Sequence, residues 1–300
     1  MTPQMTEDLQ HHLQRDWQRD WQRDWPAPAK LNLFLHVVGR RADGLHLLQT
    51  VFRFIDYADT LHFTPRDDGR IVLATPLSGV PPEHDLTVRA AHCLQEAAGI
   101  RQGVEIRLTK RLPMGGGLGG GSSDAATVLL VLNHLWQAGL SARQLQVLGL
   151  TLGADVPIFV HGHAAFAEGV GECFTDVVLP PAWYLVLVPP VAVPTAQIFK
   201  SPELRRNSPP IAACDWRPGM GDNDLEAVAC ALYPPVAEHL TWLRQFAPAR
   251  MSGSGACVFA EFADEVTARG ACAALPAAMQ GFVARGLDRN PVLEGLQTAG

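Results

Sequence analysis

The chain is 300 residues long, 47% hydrophobic and 18% charged, with a formal net charge of −6 and a pI near 6.0. This composition suits a folded protein with room for one large core or two medium ones, and the acidic balance argues against nucleic-acid binding, which calls for a clustered basic face. No apolar stretch approaches the ~20 residues of a membrane-spanning helix, and the opening MTPQMTEDLQHHLQRDWQ lacks the apolar centre of a secretory signal.

QRDW occurs three times in succession, at Gln14–Trp17, Gln18–Trp21 and Gln22–Trp25. A four-residue period drifts slowly round a helix and would set the three tryptophans on a loose stripe. A docking helix and a frayed tail both fit this pattern; residues 1–25 are read as a tail, frayed rather than folded. Pro26 and Pro28 close it, and Lys30–Val38 then alternates as a strand with one packed face. A loop, Gly39–His46, leads to a second extended run at Leu47–Phe54. Thr60–Thr64 is a further strand, and Arg70–Ala74 is expected to pair with it across the turn signal Asp67–Gly69.

Asp85–Ala98 reads as a helix and Val104–Lys110 as a strand. A glycine-rich loop follows, then helices from Ser122 to about Trp136 and over Ser141–Leu150. After Asp155–Val160 come strand-like runs at Ala164–Ala167 and Trp183–Val188, a proline-rich loop over Ser201–Pro218, helices at Asp224–Leu232 and Ala237–Phe246, and a second glycine loop at Met251–Ala256. This order is β-rich with helices appended, not a regular strand–helix alternation, so the expected class is α+β. Two domains are expected, 26–165 and 166–300. The six cysteines (Cys93, Cys173, Cys214, Cys230, Cys257 and Cys272) are scattered without a CxxC pair and read as reduced thiols of a cytoplasmic protein. His161 and His163 form a lone HxH, short of a zinc ligand set, and no metal ligands are assigned.

The most informative segment is LPMGGGLGGGSSDAA, Leu112–Ala126, where six glycines crowd seven positions between a strand and a helix. Such density gives up conformational entropy and needs a reason, namely backbone that turns sharply and lets a ligand approach its N–H groups. With Ser122 as cap, the orphan N–H groups and dipole of the following helix would face the loop, an arrangement that attracts phosphate. A P-loop fails, because no lysine follows the glycines. Gly115, Gly117 and Gly120 formally satisfy GxGxxG, but without the acidic residue of a dinucleotide site about twenty residues on. A flexible linker would not run straight into an apolar helix. Asp124 stands out, since a carboxylate beside phosphates repels them unless a cation or an outward orientation separates the two.

Pro113–Ala126 resembles the PxxxGLGSSAA-type loop of the kinases named after galactokinase, homoserine kinase, mevalonate kinase and phosphomevalonate kinase. The likeness extends to PAKLNLFLHVVGRRADG (Pro28–Gly44), LGADVPIFVHGHAAFAEGVGE (Leu152–Glu172) and SGSGACVFAEF (Ser252–Phe262). In these stretches it points to a branch of that family whose acceptor carries a cytidine diphosphate head group on the way to isoprenoid precursors. The resemblance implies a two-domain small-molecule kinase fold with the active site in the interdomain cleft, the first domain binding ATP and the second the acceptor. It implies ATP and Mg2+, with the phosphates on Pro113, Met114, Gly115, Gly116, Gly117, Leu118, Gly119, Gly120, Gly121, Ser122 and Ser123. Asp155, in the GADVP motif, would be the base that takes the acceptor hydroxyl proton, and Lys30 would pair with it, since an adjacent cation favours a carboxylate.

By the same resemblance His46 would hydrogen-bond the cytosine edge and Phe199 would stack on its face. Asn32 and Thr195 would line the pocket, and Gly253, Ser254 and Gly255 would close the back of the site. The chain departs from the pattern at Leu45, where the family shows an aromatic residue; stacking on a base contributes ~1–3 kcal/mol, and Trp25 or Trp216 would be the ring to replace it. Two alternatives remain open on these residues: a kinase of another small alcohol of the homoserine or mevalonate type, and a non-catalytic nucleotide-binding scaffold.

Overall fold

The computed structural model describes residues 19–76 and 80–297. Strands β1 (Trp25–Arg40) and β2 (His46–Arg66) form a long antiparallel pair, with Trp25 opposite Leu61 and Arg40 opposite His46. Pairing starts at Trp25, ahead of the predicted start at Lys30. Pro26 and Pro28 are tolerated there because β1 is an edge strand, paired among the described strands with β2 only. The predicted runs Leu47–Phe54 and Thr60–Thr64 are one continuous strand. The aspartates between them do not end it, because each answers donors from neighbouring backbone: Asp56 accepts from the N–H of Arg285 at 2.6 Å, and Asp59 from those of Arg111 and Leu112 at 2.5 and 2.7 Å.

The hairpin expected between Thr60–Thr64 and Arg70–Ala74 is not formed. Strand β3 (Ile71–Leu73) instead runs parallel to β4 (Gly103–Thr109), because β4 occupies that edge of β2, with Thr60 opposite Thr109. Between them lies helix α1 (Leu86–Ala98), which is N-capped by Asp85 through the N–H of Thr87 at 2.8 Å and closed by Gly99 at φ 64°. Helix α2 (Gly120–Leu135) begins two residues before the predicted Ser122. Its N-cap is Gly119 in the left-handed region at φ 74°, and no side chain caps it. Ser122 therefore sits inside the first turn. Helix α3 (Ala142–Leu152) carries a capping box between Ser141 and Gln144, and the short α4 (Val156–His161) starts directly after Asp155 with Pro157 in its first turn.

These helices cover one face of the sheet around a core that includes Phe54, Phe63, Leu129 and Phe159. The boundary expected near residue 165 falls just before β5 (Ala165–Glu168), which pairs with β2, while β6 (Cys173–Asp176) pairs with β5. Beyond them β7 (Trp183–Leu187) lies between β9 (Val258–Phe262) and β10 (Gly281–Leu287), with β8 (Ala249–Met251) outermost. Helices α5 (Thr195–Lys200), α6 (Glu226–Leu232), α7 (Pro234–Leu243) and α8 (Glu265–Ala273) accompany this second sheet region. Their core gathers Leu185, Ile198, Leu240 and Met251, and a third cluster containing Phe34, Phe166 and Tyr184 fills the seam between the two halves. The end of β10 joins β2, with Gly286 opposite Ile55, and helix α9 (Pro291–Gln297) returns to the first half, placing Val292 in its core.

The tail reading needs correction where the structure describes it. Trp21 and Trp25 belong to the first core, at 7% and 0% exposure. The indole N–H of Trp25 donates to the carbonyl of Asp20, Asp20 pairs with His134 at 2.9 Å, and Arg23 lies over the Trp25 ring while donating to the carbonyl of Gly295. Two indoles bury enough apolar area to hold this segment, even though QRDW reads as polar. Trp17 and the first repeat lie outside the described residues. Among the described residues no helix is long and apolar enough to cross a membrane.

Candidate active site

The two glycine loops, far apart in sequence, touch. The Ser252 hydroxyl donates to the carbonyl of Gly117 at 3.0 Å, the N–H of Cys257 to the carbonyl of Gly116 at 3.0 Å, and the N–H of Lys30 to the carbonyl of Leu118 at 3.0 Å. The first loop is thereby sewn between β1 and Ser252–Ala256. The approach is close enough to dictate glycine at two positions. At Gly117 (φ 74°) a Cβ would lie 2.1 Å from the Ser252 carbonyl oxygen, and at Gly119 (φ 74°) it would meet the Phe159 ring at 2.9 Å and the Lys30 chain at 3.1 Å. Beneath Gly116, burial pushes the Cys257 thiol up to about 12, so it stays protonated and is not a nucleophile.

Lys30 is 2% exposed, and its ammonium meets three acceptors: Asn32 Oδ1 at 2.5 Å, the Gly117 carbonyl at 3.1 Å and Asp155 Oδ2 at 3.2 Å. The Phe52 ring lies 5.4 Å from it. Asn32 is oriented by its own amide, which donates to Thr50 Oγ1 at 3.0 Å, and Thr50 in turn donates to the carbonyl of Phe34. Asp155 stays 38% exposed, so one end of the ion pair is buried and the other opens to the cleft. Gly253 abuts the same cluster. Asn223 ties down its loop by donating to the carbonyls of Met251 and Gly253 at 2.7 and 2.8 Å.

A second charged cluster lies under the start of α2. Lys110 donates to Asp124 at 2.8 Å and to Asp59. Burial works against the Lys110 charge, but Asp124 and Asp59 together outweigh it and hold its pKa above the ordinary lysine value. Burial pushes Asp124 up to about 7 against the pull of Lys110, with Asp59 adding its repulsion. The two carboxylates are not equivalent. Asp59 also accepts two backbone N–H groups and is the better-stabilised anion, whereas Oδ1 of Asp124 is buried without a partner. Asp124 therefore faces a lysine, and the expected clash with phosphate does not arise in that form.

A cleft of about 580 Å³ collects Lys30, Asn32, Asp155, Thr195, Phe199, Gly253, Ser254 and Gly255 together with Pro113, Met114, Gly115, Gly116, Gly117, Gly119, Gly120, Gly121 and Ser122. Two residues of the expected phosphate set do not face it. Leu118 has its side chain in the seam core, and Ser123 is fully buried with a hydroxyl that finds no partner, because a helix starting at Gly120 turns position 123 inward. Thr195 bonds Ser254 through their hydroxyls at 2.7 Å.

His46 lines a separate recess of about 380 Å³ with Arg40, Gly44, Phe199 and Arg206. Its ring stacks on Phe199 at 4.9 Å and 29°, so that face of Phe199 is taken by His46 itself. Leu45 is half exposed; Trp25 is in the first core and Trp216 stacks on Phe34, so neither tryptophan lines either recess. Sequence reading missed Lys110, Asp59, Asn223 and Arg206. Only Lys110 carried a local signal, as the cation leading into the glycine loop. His161 of the HxH pair is engaged by Asp176 at 2.6 Å, and no metal-holding group of three or more His, Cys, Asp or Glu occurs among the described residues.

Residues 85–163 match the family model for the GHMP kinases N terminal domain, and residues 213–281 the model for GHMP kinases C terminal. A protein of Dechloromonas aromatica (strain RCB) named 4-diphosphocytidyl-2-C-methyl-D-erythritol kinase is 68% identical over 89% of this chain and 98% of its own length. One of the same name from Thiobacillus denitrificans (strain ATCC 25259 / T1) is 64% identical over 90% and 97%. Among solved structures, a 4-(cytidine 5'-diphospho)-2C-methyl-D-erythritol kinase superposes with a TM-score of 0.76 at 37% identity, covering 88% of this chain and 99% of that one. A mevalonate kinase superposes with a TM-score of 0.66 at 13% identity over 89% and 100%, a likeness of fold alone.

Proposed function

Because this chain belongs to the GHMP kinases and is an ATP-dependent small-molecule kinase, we propose that it transfers the γ-phosphoryl group of ATP to the 2-hydroxyl of 4-diphosphocytidyl-2-C-methyl-D-erythritol. The product would be the 2-phosphate in the methylerythritol phosphate route to isoprenoid precursors, made in the cytoplasm. The observation that carries this reading is the Lys30–Asp155 pair, set between the glycine loop and the side of the cleft where Thr195 and Phe199 stand. The names of the relatives at 68% and 64% identity support the choice of acceptor.

In this mechanism the ATP phosphates lie along Gly115–Ser122, where the first N–H groups of α2 and the positive end of its dipole are free to receive them. Asp155 accepts the proton of the acceptor hydroxyl as that oxygen bonds to the γ-phosphorus and the bond to ADP breaks. Lys30, held by Asn32 and Gly117, keeps Asp155 in place and offsets charge on the transferring group. The donor set suits magnesium brought in by the nucleotide rather than a resident ion. No three-ligand cluster is present among the described residues, and the carboxylates lining the cleft are already engaged, Asp155 and Asp124 by lysines and Asp85 as the cap of α1, so that the half-buried Ser122 hydroxyl is a protein oxygen on offer. When bound, magnesium neutralises phosphate charge. The cytidine head group enters on the Phe199 side, toward His46.

The test is ADP release with MgATP and a panel of 4-diphosphocytidyl-2-C-methyl-D-erythritol, homoserine and mevalonate. Turnover with the cytidine compound alone is expected. Turnover with another alcohol would overturn the acceptor assignment and keep the catalytic pair, and tight ATP binding without any turnover would favour a non-catalytic scaffold.

A further inference from the structure

Arg206 follows α5, and its side chain lines the recess beside the main cleft. Its guanidinium is held on almost every side: one terminal nitrogen donates to the carbonyl of Leu204 at 3.0 Å, and the other to those of Phe199 and Ser201 at 2.9 and 2.7 Å. The Nε–H points at Nε2 of His46 at 3.2 Å. A guanidinium has no lone pair to offer and does not lose its proton in proteins. Nε2 of His46 must then be the acceptor, so the ring proton is on Nδ1 and the ring is neutral.

We propose that Arg206 is a positioning residue for the acceptor: it fixes His46 as a neutral ring protonated on Nδ1, a donor of set direction toward the base of the head group. The base part rests on the cytidine reading above. A cytosine ring offers lone pairs at N3 and O2, which a fixed donor satisfies and a doubly protonated or flipping ring serves less well. The surroundings act in the same sense. Burial, then Arg206, then Arg40 lower the pKa of His46. Lys200 lines the recess as a further cation, Phe199 covers one face of the ring, and in the preceding loop Arg41 is paired with Asp43 at 2.8 Å. Among the described residues no carboxylate lines the recess to favour a second ring proton.

The experiment is long-range 1H–15N correlation of the histidines in the full chain, with His46→Gln assigning the signal, read alongside steady-state kinetics. In the unmodified protein His46 is expected to show protonated Nδ1 and bare Nε2 at about pH 7 to 8, above the ordinary histidine value. In Arg206→Met the Nε2-protonated tautomer should appear and the titration move up toward the ordinary histidine value. KM for the cytidine acceptor should then rise about tenfold or more, and further at acidic pH, with kcat and KM for ATP held. Arg206→Lys, which keeps a charge and a donor, should restore the Nδ1 tautomer and most of the affinity.

A His46 protonated on Nε2 in the unmodified protein would overturn the proposal without any variant. So would Arg206→Met that leaves the His46 tautomer and titration unchanged, even if KM rises, because loosened packing then accounts for the loss. If the His46 signals behave as stated but the unmodified protein does not turn over the cytidine compound, the Arg206–His46 coupling is upheld and the base assignment falls with the acceptor reading.

Discussion

Lys30 enters β1 at a position where a lysine would ordinarily be solvated, yet its ammonium is buried with three oxygen acceptors and an aromatic ring around it. A buried cation of this kind holds its neighbours as firmly as they hold it, since a desolvated ammonium that loses an acceptor is left under-satisfied at a cost of about 1–3 kcal/mol. Asp155 is the member of the group that remains open to the cleft and so the one able to exchange a proton with a substrate. Asp155→Asn keeps the shape and removes the base. It is expected to lower kcat by about 10²–10⁴-fold, while ATP binding measured by calorimetry stays within about twofold; turnover near the unmodified rate would remove Asp155 from the proposed role. Asp155 and Lys30 are residues whose types and motifs could be picked out along the chain, but their 3.2 Å contact is a property of where β1 and α4 are placed.

At the level of elements, the glycine loop shows how a local motif is completed from outside. Its density announced a tight ligand-facing turn, yet the contact that demands glycine most strongly, the Ser252 carbonyl 2.1 Å from a would-be Cβ at Gly117, comes from a loop more than a hundred residues away. Gly139 provides the control, with a similar φ of 70° and nothing within 4 Å. Gly139→Ala should cost only the left-handed strain, about 1 kcal/mol. Gly117→Ala must in addition displace backbone, so it should destabilise by more than about 2 kcal/mol in urea unfolding and weaken ATP binding at least tenfold. Equal losses from the two variants would refute the close-approach argument. The same dependence on distant partners explains the misread hairpin. Arg70–Ala74 has the turn signal to fold back on Thr60–Thr64, but β4 competes for that edge and wins with a full ladder from Thr60–Thr109 to Arg66–Gly103.

On the scale of the whole molecule, Lys110, Asp59 and Asp124 place two buried carboxylates on one half-buried cation, and this couples stability to pH. The folded pKa of Asp124, about 7, lies above the ordinary aspartate value. The folded state therefore holds a proton that the unfolded chain has released, and the contribution of this group to stability falls as pH rises from about 4 to about 7 and is level beyond. Asp124→Asn abolishes that loss. Its stability relative to the unmodified protein, from urea midpoints, should climb across that window by up to about 4 kcal/mol; a difference that stays flat with pH would rule the coupling out.

The sequence by itself determined the mixed class and the strand that carries Lys30 and Asn32, and it singled out the glycine loop, the aspartate of GADVP and, through the family resemblance, His46 and Phe199 as candidates for the site. The first of these rest on local periodicity, on backbone freedom or on an ordered motif, all of which are written in adjacent residues. The tertiary structure alone decided that Trp21 and Trp25 are core rather than tail, that α2 starts at Gly120 and turns Ser123 away from the cleft, that Leu118 packs inward, and that Lys110 and Arg206 stand beside Asp124 and His46. The physical reason is common to these cases. Burial, charge pairing and the tautomer of a histidine are set by groups brought together across long stretches of chain, 160 residues in the case of His46 and Arg206, and no local pattern records who the partner is.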